Sequence, residues 1–300
     1  DCGTCDKVVT QRELERRLGA GQADSLRTVV MIQCVGCRND ERPYCSRVCC
    51  AEAVKNALEI KERNPDCRVI VIYKDVRTFG NMEKYYAQAR HEGVVFIRYD
   101  DDNLPEVLPN GTVRVTDASI GRELAFRADL VALSAAIVAP QTHRTLANTL
   151  RVPMTLDGFF LEAHIKLRPV DFAYEGIFLA GMAHGAKFIK ETITQALAAA
   201  GRAAAILSKE TLTAGGSVAT VDEDLCAGCL TCVRICPYSV PRIEDGIASI
   251  EPTACQGCGT CSAQCPAGAI SLQSFTDRQI RAAVSGLFRS GRSDLQESTI

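Results

Sequence analysis

Two cysteine runs with the same spacing lie close together toward the C-terminal end of the chain. Each follows the pattern C-x2-C-x2-C-x3-C-P, with Cys226, Cys229, Cys232 and Cys236 in the first run and Cys255, Cys258, Cys261 and Cys265 in the second. This spacing is typical of modules that hold two [4Fe–4S] clusters, because three thiolates come from a tight local loop and the fourth comes from the other run. We therefore predict that Cys265 completes the first set and that Cys236 completes the second. A zinc site, the alternative, usually has two C-x2-C pairs without a third cysteine or a trailing proline.

Five further cysteines surround the end of a predicted buried strand at 28–33. Cys34 and Cys37 come directly after this strand, and Cys45, Cys49 and Cys50 precede a helical pattern of apolar residues at 51–63. The adjacent Cys49 and Cys50 are awkward for zinc and unusual for a ferredoxin. The residues alone leave two interpretations, a metal site or several buried thiols, since the small apolar cysteine side chain tolerates burial well.

Three cysteines lie outside these groups. Cys67 stands alone before a predicted strand and is expected to be a core residue. Cys2 and Cys5 form a C-x2-C pair, which fits a redox pair, half of a metal site or two unreactive thiols.

The elements around Cys34 follow the order of a Rossmann-like parallel sheet. Strands are predicted at 28–33, 68–73 and 94–99, with helices at 51–63 and 82–91 between them. A nucleotide-binding version would carry G-x-G-x-x-G after its first strand. In this chain that turn contains cysteines, and no G-x-G-x-x-G occurs in the 300 residues. The sequence therefore predicts that this chain does not bind NAD(P).

The second half of this region predicts a small antiparallel meander and a return to helix. Asn110-Gly111 is a strong hairpin signal, and a buried strand is predicted at 129–133. A further strand at 176–181 leads into an alanine-rich helix at 187–208. The N-terminus of such a helix favours negative charge, as on a reduced flavin ring, although a plain packing helix explains the alanines equally well.

Several of these motifs together resemble the A-subunit family of heterodisulfide reductase, whose members are iron–sulfur flavoproteins. They are the run from Ile32 to Gly36, the run from Tyr44 to Cys50, Leu167-Arg-Pro-Val-Asp-Phe172, the run from Phe178 to Gly181, and His184-Gly-Ala-Lys187. The resemblance extends from about Val9 to Leu272 and corresponds to the C-terminal portion of such a protein. The missing glycine motif fits a fragment or one half of a split subunit.

The resemblance implies a set of site residues. A third [4Fe–4S] cluster would be ligated by Cys34, Cys45, Cys49 and Cys50, whereas Cys37 stands where the family usually has serine. Lys55 would face a flavin and act in catalysis. FAD contacts would fall on a short segment, namely Gly181, His184, Gly185, Lys187, Phe188 and Ile189. Met182 replaces the aspartate of many relatives, so contacts there would use the backbone.

These observations predict an α/β fold with a partial, thioredoxin-reductase-like flavoprotein domain and an α+β ferredoxin domain. The expected divisions are a polar segment at 1–26, the flavoprotein portion at 27–210, the ferredoxin domain at 217–273, and a helix and tail at 274–300. The net charge of −2 gives no indication of a nucleic-acid partner, and the longest apolar run is too short to cross a bilayer.

The predicted function is electron transfer between FAD and [4Fe–4S] clusters in a heterodisulfide-reductase-like complex of a reducing, anaerobic cytoplasm. The resemblance implies partners of the heterodisulfide reductase B and C type, a hydrogenase or formate dehydrogenase, and ferredoxin, without which the chain would be inactive. In some family members the electron pair is bifurcated. The alternatives are a ferredoxin-type carrier without flavin, and a soluble subunit of a quinone-linked membrane oxidoreductase.

Overall fold

A computed structural model describes residues 7–22, 25–211 and 217–293 of the chain. The pair Cys2 and Cys5 lies outside the described residues. The chain divides into two compact units, Asp1–Arg202 and Ala203–Ile300.

Within the residues that the structure describes, the first unit has eight strands and five α-helices. The strands are β1 (Val8–Thr10), β2 (Thr28–Val35), β3 (Arg68–Tyr73), β4 (Val95–Arg98), β5 (Glu106–Val107), β6 (Thr112–Asp117), β7 (Arg122–Arg127) and β8 (Leu130–Ala135). The helices are α1 (Gln11–Gly19), α2 (Cys49–Arg63), α3 (Glu83–His91), α4 (Thr142–Leu150) and α5 (Ile189–Leu207), the last of which ends in the second unit.

Five of these strands form one wholly parallel sheet in the order β1-β8-β2-β3-β4. Both faces of the sheet are covered, as parallel sheets require. On one face, Leu14 of α1 and Ile60 of α2 pack against Val29 and Val69. On the other face, Ile32 and its neighbours pack against Val113 and the rest of the meander. The predicted parallel α/β fold is confirmed.

Residues 8–19 belong to this unit, although the sequence interpretation set 1–26 apart as a polar segment. β1 pairs in parallel with β8, and Leu14 and Leu18 are fully buried. A three-residue strand is too short to show periodicity, and its partner lies more than a hundred residues away in the sequence. The α/β unit therefore begins before residue 27.

The predicted meander is also present, with β5, β6 and β7 forming an antiparallel sheet. At its first turn the Asn110 side chain accepts a hydrogen bond from the Thr112 amide at 2.9 Å. Gly111 has φ +85°, and a Cβ there would lie 3.0 Å from the Ala128 carbonyl oxygen. Position 111 therefore requires glycine, because its backbone is left-handed and because a Cβ would be too close to the Ala128 carbonyl.

The segment between β8 and α5 differs from the sequence prediction. No regular strand forms at 176–181; Phe178 makes only an isolated bridge with Asp171. Gly176 has φ +84°, which interrupts an extended segment. Phe160, Phe172 and Leu179 form a small core in this segment. None of the nineteen residues of α5 is buried, so its apolar side chains Ile189, Ile193 and Leu197 are exposed.

The second unit contains short elements around the two cysteine runs. They are β9 (Ala219–Val221), α6 (Thr231–Ile235), β10 (Arg242–Glu244), β11 (Ile247–Ser249), α7 (Thr260–Gln264), β12 (Ile270–Leu272) and α8 (Asp277–Ser293). The strands form two antiparallel pairs, β9 with β12 and β10 with β11. Within the described ranges, no helix is long and apolar enough to cross a membrane.

Candidate metal centres and the adjoining cavity

Two cavities of the second unit are each lined by four cysteines drawn from both runs. Cys226, Cys229 and Cys232 line one cavity together with Cys265. The other cavity is lined by Cys255, Cys258, Cys261 and Cys236. The structure thus brings together the two interleaved sets that the spacing predicts.

Two glycines allow the cysteine loops to pass close to neighbouring backbone. Gly228 has φ +59°, and a Cβ there would lie 2.5 Å from the Gly246 carbonyl oxygen. Gly257 has φ +63°, and its Cβ would lie 2.0 Å from the Ser217 carbonyl oxygen. A side chain at either position would push the loop outward and spread the cysteines, so the loops depend on these glycines.

Hydrogen bonds from the protein reach the sulfur atoms in matching places. The backbone amide of Ala248 donates to Cys226 Sγ at 3.4 Å, and that of Ala219 donates to Cys255 Sγ at 3.5 Å. The Thr231 hydroxyl and amide hold the pKa of Cys229 below its usual value. Donors around sulfur stabilise negative charge, which is how a protein tunes the potential of a cluster. The arrangement fits thiolates that hold a negatively charged core.

The five cysteines of the first unit also lie near one another, around the end of β2. Burial raises the pKa of Cys49 to about 12, and the neighbouring Cys37, Cys50 and Cys45 add to this effect. A hydrogen bond links Cys34 and Cys37; this bond, with burial, raises the pKa of Cys34, and it lowers that of Cys37 to about 6. A coordinating metal deprotonates such thiols outright. Cys67 is fully buried in the core, as its position before a strand predicts.

The backbone that carries these five cysteines is strained. Cys34, Arg38 and Arg47 all have φ values near +60°, at +62°, +56° and +61°. The pairing of β2 with β8 is irregular between Ile32 and Val35, where Cys34 lies. Non-glycine residues in this region cost about 1–3 kcal/mol each and are concentrated at functional sites.

Contacts with the segment after β8 hold this loop in place. The Tyr44 hydroxyl donates to the Ile137 carbonyl at 2.9 Å, and the Ile137 amide donates to the buried Ser46 hydroxyl at 2.9 Å.

Within residues 7–22, 25–211 and 217–293, no three His, Cys, Asp or Glu side chains lie close enough to hold a single metal ion. A cubane is wider than one ion and takes its thiolates at its corners.

A cavity of about 1120 Å³ lies beside the cysteine loop in the first unit. Four of the predicted flavin-site residues line it, Lys55, Lys187, Phe188 and Ile189. Gly181, His184 and Gly185 are not among its lining residues. The cavity therefore contains one side of the predicted flavin site, between α2 and the start of α5.

Lys55 is exposed at the wall of this cavity. Its ammonium pairs with the Glu15 carboxylate of α1, and the two side chains are 48% and 50% exposed. The ammonium is not buried, so the desolvation cost that would call for an anionic ligand is largely absent. Its predicted role beside a flavin stays a prediction.

Arg47 connects the cysteine loop to the beginning of α5. Its backbone amide donates to Cys45 Sγ at 3.3 Å, and its guanidinium donates to the Ala186 carbonyl at 3.3 Å and to Glu191 at 2.7 Å. Glu191 in turn accepts from the Phe188 amide at 2.8 Å. Burial and the nearby Arg47 charge lower the pKa of Lys187. The first turn of α5 is thus held against the cysteine loop.

The ring of His184, one of the predicted flavin-site residues, is held by two side chains of the protein. The Gly181 amide donates to Gln195 Oε1 at 2.8 Å, which directs the amide group of Gln195 toward His184 Nδ1 at 2.7 Å. Because Nδ1 must accept there, the ring proton is assigned to Nε2, which donates to Glu162 at 2.7 Å. Both ring nitrogens are therefore used within the protein, and His184 fixes the backbone at 181–185. Sequence reasoning missed Glu162 and Gln195, which belong to no motif.

A charged group at the ends of β3 and β4 was also missed from the sequence. Arg38 and Arg77 both pair with Asp75, and the buried Lys74 pairs with Asp101. Lys74 also donates to the Arg38 carbonyl at 2.8 Å. These residues follow parallel strands directly, so they meet at one edge of the sheet, as site residues commonly do. In the sequence, the only signal for this group was the position of charged residues directly after predicted parallel strands.

Comparison with known proteins matches the ferredoxin unit to a family model described as a 4Fe-4S dicluster domain, over residues 219–277. The second unit is therefore similar to domains that hold two [4Fe–4S] clusters, the class of electron-transfer module that its cysteine spacing predicts.

Comparison over most of the chain identifies more closely related proteins than the match of the ferredoxin unit does. The chain is 38% identical over 263 residues to the A subunit of the H(2):CoB-CoM heterodisulfide,ferredoxin reductase of Methanothermobacter marburgensis, a match that covers 81% of this chain and 40% of that protein. It is 40% identical over 312 aligned positions to the A subunit of the H(2)/formate:CoB-CoM heterodisulfide,ferredoxin reductase of Methanococcus maripaludis, covering 97% and 47%. Along most of its length the chain is homologous to the A subunit of heterodisulfide reductase, which confirms the resemblance inferred from its motifs.

The chain spans less than half the length of these curated relatives. Among solved structures, it is similar to thioredoxin reductase of T. acidophilum, with a TM-score of 0.44 and 14% identity over 69% of this chain and 60% of that one.

Proposed function

We propose that this chain is an iron–sulfur flavoprotein subunit that passes electrons between FAD and [4Fe–4S] clusters in a heterodisulfide-reductase-like complex. The observation that carries the proposal is the interleaving of cysteines in the two cavities of the second unit. A dicluster module of this kind exchanges single electrons, and its protein supplies position and tuning while the clusters supply the redox chemistry.

The residues of the second unit have defined roles in this proposal. Four thiolates hold each cluster, and the amides of Ala219 and Ala248 donate to the sulfur atoms of Cys255 and Cys226. These donors favour the more negative, reduced state and so raise the potential. Gly228 and Gly257 keep the loops close enough to neighbouring backbone for all four thiolates to converge.

The proposal includes a third cluster on Cys34, Cys45, Cys49 and Cys50. Its support is the proximity of these thiols at the end of β2 and the strained loop that presents them. The same position holds a dinucleotide phosphate in nucleotide-binding sheets. Cys37 is a fifth thiol of this group, hydrogen-bonded to Cys34.

The flavin is proposed to lie in the cavity between α2 and the start of α5. FAD would supply two-electron chemistry there, and this chain would supply Lys55, Lys187 and the first turn of α5. The nucleotide-binding half of the flavin site is proposed to come from protein beyond this sequence. The relatives are named for H2, formate, ferredoxin and the CoB-CoM heterodisulfide, and we propose corresponding redox subunits, in the cytoplasm, as partners.

The test is the metal and flavin content of the anaerobically purified complex and of this chain alone. We expect about twelve iron per chain, as three four-iron clusters, and a flavin absorbance band in the complex. Replacing Cys49 and Cys50 together by Ala should lower the iron to about eight. Zinc in place of iron would overturn the proposal, and clusters without flavin in the intact complex would favour a ferredoxin-type carrier.

A further inference from the structure

We propose that Arg38 sets the reduction potential of the third cluster by holding a positive charge against the Cys34 thiolate. This inference rests on the third cluster of the proposed function. It concerns the tuning of that cluster, to which no sequence motif assigned a residue.

The turn after β2 folds the Arg38 side chain back onto Cys34. Arg38 Nη1 lies 3.9 Å from Cys34 Sγ. Cys34 and Arg38 both adopt left-handed backbone conformations, and Gly36 between them has φ +78°. Two strained residues in a five-residue turn need a surrounding structure that enforces them.

That surrounding structure is the charged group at the ends of β3 and β4. The side chain of Lys74 is only 9% exposed, and its ammonium donates to the Arg38 carbonyl at 2.8 Å, which fixes the strained backbone. Asp75 accepts from the guanidinium of Arg38. The side chain of Arg38 is 20% exposed, so its charge is screened less by salt than that of a surface arginine.

The charges in this group do not cancel at the thiols. Asp75 is shared between Arg38 and Arg77, whose Nε lies 3.1 Å from the Asp75 carboxylate, and Lys74 is balanced by Asp101. Three cations and two carboxylates give the group one net positive charge, and Arg38 is the member whose cation lies against Cys34. A cluster becomes more negative when it gains an electron, so this charge stabilises the reduced state and raises the potential.

Variants of two residues with opposite charge test the proposal in the full-length chain within its complex. Arg38→Met removes the cation, Arg38→Lys retains it, and Asp75→Asn removes the carboxylate that offsets it. Arg42→Met is the matched control, since Arg42 lies in the same loop and pairs with the exposed Glu41. The midpoint potential of each cluster is measured by EPR-monitored redox titration, and a Cys49→Ala variant identifies the signal of the third cluster.

We expect Arg38→Met to lower the potential of the third cluster, with about a tenfold smaller ratio of reduced to oxidised cluster for every 59 mV. Arg38→Lys should restore most of the shift, Asp75→Asn should raise the potential, and Arg42→Met and the two ferredoxin clusters should not change. An unchanged potential in Arg38→Met, or an equal shift in Arg42→Met, would overturn the inference. If Arg38→Met loses iron, its potential cannot be compared, and the Asp75→Asn variant becomes the test. A failure of Asp75→Asn to raise the potential of the third cluster would then overturn the inference. Absence of a third four-iron cluster in the wild-type protein would instead overturn the proposed function.

Discussion

Cys236 of the first cysteine run and Cys255 of the second line the same cavity of the ferredoxin unit. The two runs are therefore not two separate sites placed one after the other, because each set of four thiols needs a cysteine from both. Displacing either run would therefore break both sets of ligands. The folding of this unit and its capacity to hold clusters are coupled, as is general for metal sites that bring distant ligands together.

The close approach of Gly257 to Ser217 predicts a large effect of a single methyl group. Gly257→Ala would place Cβ 2.0 Å from the Ser217 carbonyl oxygen, and we expect more than about 3 kcal/mol of destabilisation together with loss of iron. Gly268→Ala is the matched control, because Gly268 also has positive φ but has nothing within 4 Å of the added Cβ. It should cost only about 1–2 kcal/mol. Equal effects in denaturation and iron assays would show that crowding at Gly257 is unimportant.

Burial of α1 predicts that the N-terminal residues stabilise the α/β unit. Leu14 is fully buried between the sheet and α2, so Leu14→Ala should lower the free energy of unfolding by about 2–5 kcal/mol. Arg12→Ala, on the exposed side of the same helix, should change it by less than about 0.5 kcal/mol. Chemical denaturation of both variants checks this, and a small effect of Leu14→Ala would mean that α1 is not part of the core.

The lowered pKa of Lys187 predicts a pH-dependent contribution to stability. Burial, and then the charge of Arg47, disfavour the ammonium in the folded state, whereas the unfolded lysine has its usual pKa near 10.5. A folded pKa below the unfolded one means that the cost is complete below the folded pKa and disappears as the pH rises toward about 10.5. Lys187→Met should therefore stabilise the flavin-free chain near neutral pH, with a gain that shrinks as the pH rises to about 10.

Lys190→Met, at an exposed position of the same helix, should show no such trend when unfolding is followed from about pH 7 to about pH 10. A gain for Lys187→Met that stays constant over this range would contradict the account.

The ion pair between Lys55 and Glu15 predicts opposite effects of two substitutions on a flavin in the adjoining cavity. Lys55→Met removes a cation and should lower the flavin potential, since the ammonium favours the reduced, negative ring. Glu15→Gln leaves the ammonium without its carboxylate partner and should raise the potential. Redox titration of the flavin-replete complex, with cluster content checked first, measures both. Unchanged potentials in both variants would contradict a role of Lys55 beside the flavin.

Local patterns in the sequence predicted much of this fold and site. The run Thr28–Gln33 predicted β2, the Asn110-Gly111 turn predicted the meander, and the spacing of the ferredoxin cysteines predicted which sets come together. Each of these signals lies within a few residues of the feature it specifies.

The features that escaped prediction depend on contacts between distant residues. β1 is recognisable only through its pairing with β8, and the Glu162–His184–Gln195 network joins the motif at His184 to two residues that belong to no motif. The predicted strand at 176–181 has an apolar pattern, but only a bridge to Asp171 forms. The position of Arg38 beside Cys34 follows from strained backbone conformations, which composition and periodicity do not reveal.

The most direct test of the account is the iron content of two double variants of the ferredoxin runs, purified without oxygen. Cys236→Ala with Cys255→Ala removes two ligands of one cavity, so about four iron should be lost and one ferredoxin cluster should keep its EPR signal. Cys226→Ala with Cys236→Ala removes one ligand from each cavity, so about eight iron and both signals should be lost. The reverse result, with the larger loss in the first pair, would contradict the interleaved clusters on which the electron-transfer function rests.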